Sequence, residues 1–193
     1  SRRTDGRMYL FTSYTPEVGD SADQLQYYVP RCGEEYIVYD HIYLPTPEKG
    51  FSYNGRIYLV AGAVAQENPD QATDVMAVVS STNIFYVREN NIYSATEIWK
   101  HRETSTQIVR IGYRDGKFTD GAAGSVAGEL HNNFSMNEAD DCLRIVTTVE
   151  GWDKDYSNFS RSNGLYVLNE KLKTIGKIED LAEGEQIKAA RFM

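Results

Sequence analysis

The run Asp153-Lys154-Asp155-Tyr156-Ser157-Asn158 places side-chain oxygens at alternate positions, the spacing of a calcium loop. An EF-hand loop needs glycine at its sixth position and glutamate at its twelfth. Those positions hold Asn158 and Gly164, so an EF-hand is excluded. Asp153 and Asp155 stand as candidates for a looser cation site, with calcium the ion such oxygens suit. A solvated loop between two strands is the plainer expectation, and no cofactor is expected.

Other residue types that do chemistry lack their usual partners. The run from Gly121 to Gly128 has the small residues of a phosphate loop, but no Gly-Lys-Ser/Thr and no helical pattern follows. It reads as a tightly packed outer strand. His41, His101 and His131 are the only histidines, and none has a second ligand at helical or hairpin spacing. The sequence therefore sets up neither a zinc site nor a Ser-His-Asp arrangement. Glu138 and Arg144 straddle an expected hairpin, where a cross-strand ion pair is expected rather than catalysis. No catalytic residue is assigned.

Composition narrows the partners. The 193 residues suffice for a sizeable core, and a hydrophobic fraction of 41% marks a globular chain. The 14 Tyr, 7 Phe and 2 Trp, with many Val, Ile and Thr, favour strands. A net charge of -8 argues against nucleic acid, because phosphate binding needs clustered Lys and Arg. Cys32 and Cys142 lie far apart with no Cys-x-x-Cys pair, and two free thiols are expected over one disulfide. No run of 18 apolar residues is present, so no membrane-spanning segment is expected. The chain starts at Ser1 without an initiator Met and stops abruptly at Met193. It reads as a segment of a longer protein, so a missing export signal carries no weight.

The elements follow from turns and apolar runs. Asp5-Gly6, Asn54-Gly55 and Arg114-Asp115-Gly116-Lys117 are hairpin signals. Residues 15–55, with Pro45-Thr46-Pro47, read as a long insertion, in which 24–29 and 35–39 are candidate short strands. Residues 66–72 read as a polar connection, and 95–103 as a stretch able to make one helical turn. Ile57-Tyr58-Leu59-Val60-Ala61 and Met76-Ala77-Val78-Val79 are apolar at consecutive positions, which implies sheets covered on both faces. Stacked four-stranded blades do this. The fold expected is all-β, with antiparallel four-stranded blades of a β-propeller, about three blades plus a strand of a fourth. The first blade takes 1–3, 7–15, 56–65 and 74–80. The second takes 83–88, 91–97, 106–113 and 117–127. The third takes 133–138, 142–149, 164–169 and 173–179, and 187–193 begins another.

The residues that carry a family resemblance lie mostly from 121 onward. They include Phe134-Ser135-Met136-Asn137-Glu138, Leu143-Arg144-Ile145-Val146-Thr147-Thr148, Leu165-Tyr166-Val167-Leu168 and Ala190-Arg191-Phe192-Met193. On these the chain resembles the bacterial secreted β-propeller family described as distantly related to WD-40 repeats. It departs from that family's pattern at Asn137, where Asp is usual, and at Asn132-Asn133, where Asn-Gln is usual. The resemblance implies an exported protein, often membrane-anchored upstream of the propeller, and brings no catalytic residues.

The function expected is a non-enzymatic extracellular or cell-surface scaffold that binds a protein or glycan. Tyr27, Tyr28, Tyr36, Tyr39 and Tyr43 of the insertion are the expected contact surface, since tyrosine suits interfaces. The alternative is a secreted hydrolase using loop carboxylates at the channel mouth. An isolated three-blade segment is also expected to self-associate through uncovered blade faces and edges.

Overall fold

Two-residue turns set the spacing of the strands. At Asp115-Gly116 both residues have positive φ, 50° and 75°, as a type I′ hairpin requires. Asp140-Asp141 makes a second such turn, with φ of 54° and 58°. Short polar side chains that bond locally tolerate this conformation, so glycine is dispensable there.

The computed structural model describes residues 1–4, 6–17, 24–45, 57–80, 84–100 and 102–192. Strands β1 (Arg2–Thr4) and β2 (Arg7–Tyr14) open the first blade. The insertion carries β3 (Arg31–Cys32) paired with β4 (Glu35–Tyr36), then β5 (Ile42–Tyr43). Strands β6 (Tyr58–Ala65) and β7 (Asn68–Val79) complete the blade, in the order β1-β2-β6-β7, and β5 adds to its edge parallel to β7. The second blade is β8 (Ile84–Val87), β9 (Asn91–Lys100), β10 (Glu103–Arg114) and β11 (Lys117–Ala127). The third is β12 (Met136–Ala139), β13 (Cys142–Trp152), β14 (Phe159–Leu168) and β15 (Thr174–Leu181). Each is an antiparallel meander in chain order, and among the described residues helix is limited to short 3-10 turns.

The blades stack face to face. Between the first and second, Tyr9 meets Tyr113 with ring centroids 4.5 Å apart and Phe118 at 6.0 Å. Leu59 and Val78 pack there against Val109 and Ile111. Between the second and third, Tyr93, Ala95 and Ile108 face Leu143, Ile145, Tyr166 and Leu168. Gly124 lets this seam close, because a Cβ there would stand 2.3 Å from the Leu172 carbonyl oxygen. The second and third blades also join directly, through the pair Glu103 and Gly151.

The expected blades are present, with several local corrections. Residues 95–100 extend β9 rather than starting a helical turn, because Ala95 packs in the inter-blade core. Residues 25–27 form a 3-10 turn and only 35–36 of the second candidate segment pair as strand. β7 begins at Asn68, inside the stretch read as a polar connection. Residues 187–192 are not a strand; the Ile187 amide donates to Thr148 Oγ1 instead. Arg144 pairs with Asp140 at 3.2 Å, while Glu138 turns inward to accept from Asn91 Nδ2 at 2.6 Å. Cys32 and Cys142 are free. Asp5, His101 and the Asn54-Gly55 turn lie outside the described residues.

Candidate functional site

The antiparallel meanders place two kinds of connection at opposite rims. One rim carries the tight turns, including 88–90, 114–117 and 139–142. The other carries the long insertion, the connections between blades, and the loops between β9 and β10 and between β13 and β14.

Asp153 lies in the β13–β14 loop. Its Oδ1 accepts from the Ser157 amide at 2.8 Å, and its Oδ2 accepts from Ser157 Oγ and Asn158 Nδ2, each at 2.8 Å. These donors hold the carboxyl well below the usual carboxylate range. Asp153 therefore spends its oxygens on closing its own loop, and Asp155 stands exposed on it. Among the described residues, no three His, Cys, Asp or Glu side chains gather to hold a metal.

Around that loop the rim is aromatic. Trp99, Trp152, Tyr156 and Phe159 are all exposed, Trp152 meeting Phe159 at 5.2 Å between centroids. Arg102 lies 4.8 Å over the Tyr156 ring. Cross-strand pairing puts Trp99 opposite Thr104 and Trp152 opposite Phe159, which brings these rings to one end of the two blades. Carboxylates lie beside them. Arg161 Nη2 bridges to Glu150 at 2.6 Å, and the Glu129 carboxyl lies beside Glu97. Burial first, then the charges of Glu97 and Glu150, push the Glu129 carboxyl up.

The tyrosines of the insertion differ in their exposure and contacts. Tyr39 is 84% exposed and Tyr28 is at the margin of exposure. Tyr36 sits under Arg31, whose guanidinium lies 4.3 Å over the ring, and Tyr27 is half-buried. Tyr43 packs against the core between the first two blades. Beside it is a cavity of about 520 Å³ where His41 meets Asp74. His41 Nδ1 lies 2.8 Å from the Val75 carbonyl oxygen and 3.5 Å from Asp74 Oδ1, and Asp74 Oδ2 accepts from the Phe118 amide at 2.8 Å. The Asp74 carboxylate thus ties the insertion to β7 and β11.

At the turn rim a larger cavity, about 890 Å³, takes residues from all three blades. Arg2 comes from β1, Arg88 and Arg110 from the second blade, and Glu138 from β12. Glu138 Oε1 accepts from Asn91, and the Glu138 amide donates to Tyr86 Oη at 3.0 Å. Burial first, and then the Glu138 carboxylate, push the Tyr93 phenol far above its ordinary range. Three buried side-chain atoms here lack a hydrogen-bond partner among the described residues: Arg2 Nε, Arg110 Nε and Glu138 Oε2.

Sequence reasoning picked out Asp153 and the tyrosines but passed over both cavities. His41 and Asp74 belong to different elements, and Arg2, Arg110 and Glu138 to different blades. Only the stacking of blades brings them together. The single local signal was the placement of charged residues within or beside apolar strands.

Comparison with known proteins agrees with this architecture. An uncharacterized protein of Methanocaldococcus jannaschii is 40% identical over 74 residues, which is 37% of this chain and 11% of the relative. An uncharacterized protein of Archaeoglobus fulgidus is 46% identical over 68 residues, 35% of this chain and 10% of the relative. The match therefore takes in about a tenth of the length of either curated relative. Both organisms are archaea, where the resemblance pointed to bacteria. No solved structure matches the chain. The family model for the beta propeller domain matches residues 1–193, and with its stacked four-stranded blades the chain belongs to that family.

Proposed function

We propose that this propeller is a non-enzymatic extracellular scaffold that binds a protein or glycan at its loop rim. The observation that carries the reading is the group of exposed rings Trp99, Trp152, Tyr156 and Phe159 at one end of two adjacent blades. Water-exposed Trp and Phe cost hydration free energy that a partner's apolar face relieves. Rigid aromatics with arginines stacked on them also contribute strongly to interfaces at low entropic cost. Carboxylates beside the rings are acceptors for the hydroxyls of a glycan or the amides of a peptide. Tyr28 and Tyr39 of the insertion give a second contact on the same rim. Export is the part of the reading that rests on the family resemblance alone.

Peptide and glycan arrays probed with the whole chain test the binding. The expected result is a saturable signal on one array that Trp152→Ala with Phe159→Ala removes while the far-UV circular dichroism is unchanged. A signal indifferent to that double variant overturns the assignment of the surface. Labelling of intact cells with a membrane-impermeant biotin reagent tests the location, and labelling only after lysis overturns it.

A further inference from the structure

We propose that the turn-rim cavity is a second, independent site, which recognises a small carboxylate carrying a hydroxyl or ammonium on the neighbouring carbon. It lies at the opposite rim from Trp152, so it neither needs nor supports the partner surface there.

The starting point is three unspent polar atoms lining one cavity. Arg2 Nε and Arg110 Nε are buried donors, and Glu138 Oε2 is a buried acceptor, each without a partner among the described residues. Buried atoms of charged groups are normally satisfied, and leaving them unpaired destabilises a fold. The surroundings sharpen the point. Arg2, Arg88, Arg110 and Arg114 all line the cavity, and no ion pair of theirs is present among the described residues. Yet the chain carries 28 acidic residues against 20 basic ones, so partners were abundant. Asp140, on the cavity wall, is taken by Arg144 instead.

Guanidinium groups recognise carboxylates and phosphates through paired N–H donors. The acids on the same wall decide between the two. Glu89, Glu138, Asp141 and Glu170 also line the cavity, and they repel a dianion more than a monoanion. Glu138 Oε2 additionally needs a donor from the ligand. A monoanion that accepts from Arg2 and Arg110 and donates to Glu138 meets all three demands at once. An α-hydroxy or α-amino carboxylate has that pattern in its smallest form. Such a ligand would touch all three blades, because its partners sit on β1, β10 and β12. Its sources are free hydroxy acids or free amino acids.

Calorimetric titration and thermal shift of the whole chain test the proposal with lactate, alanine, acetate and inorganic phosphate. Lactate or alanine is expected to bind at least about tenfold more tightly than acetate or phosphate, and which of the two binds better identifies the source. Glu138→Gln should erase the preference over acetate. Arg110→Met should abolish binding and raise the Tm of the ligand-free protein, since it removes an unpaired buried donor. A drop in that ligand-free Tm would show Arg110 to be structural and overturn the site. Millimolar lactate and alanine both failing to bind would overturn it equally, as would phosphate binding best. None of these outcomes touches the array test of the loop rim.

Discussion

Tyr9 holds the first seam through one atom as much as through its ring. Its side chain is buried, and its Oη accepts the Gly116 amide at 2.8 Å. Tyr9→Phe keeps the ring against Tyr113 and strands that amide. We expect a loss of about 1–3 kcal/mol in urea unfolding, and an unchanged midpoint would show that water replaces the hydroxyl. Glu129 acts in the opposite sense. Its carboxyl is raised above the ordinary 4.5 by burial and by Glu97 and Glu150. The stability it contributes is therefore complete below that value and is lost as pH rises through the higher folded-state value. Glu129→Gln should raise Tm at pH 7 and leave it near wild type at pH 4. A uniform change at both pH values would remove the carboxyl pair as the cause.

Turns and strands were legible where their chemistry is local. Gly116→Val places a β-branched residue at φ 75° and sets a Cβ 2.8 Å from Arg7 Nε. We expect it to cost about 1 kcal/mol or more, read as a fall in Tm. Asp115-Gly116 announced that turn, whereas Asp140-Asp141 makes the same turn without the glycine that would have marked it. The blades were readable because consecutive apolar residues such as Met76 to Val79 can only be covered from two sides. The stretch 95–103 read as able to make one helical turn, but Ala95 is claimed by the neighbouring blade. Asp153 was found because its ligand-like spacing lies within one loop, although its oxygens prove to be spent there. The rim cavity was invisible for the converse reason, since nothing in a strand's own sequence says which strand of another blade will face it.

The end faces of the stack present apolar side chains to water. Met8 and Leu10 of β2 are 47% and 48% exposed, and Ile178 of β15 is 55% exposed. Exposed apolar side chains on sheet faces favour association. We expect the 193-residue chain to sediment as a dimer or larger species at micromolar concentration. A monomer near 21.9 kDa would mean that the insertion and residues 182–192 shield these faces well enough.

The hydrogen bond from Gly116 to Tyr9 spans 107 residues, and that distance has a consequence during synthesis. A ribosome working at 5–20 residues per second delivers Tyr9 roughly 5–20 s before the amide that satisfies it. Until the second blade is made, Tyr9 and then Ala63 have nothing to cover them, and the first sheet, once formed, waits as an incomplete layer. The second blade, whose neighbouring strands are joined by short turns, has the lower sequence separation and closes quickly once made. The order of birth is thus the reverse of the order of consolidation. Slowing translation after residue 80 would lengthen the vulnerable interval, and a nascent chain stalled there should be the one that proteases and chaperones find.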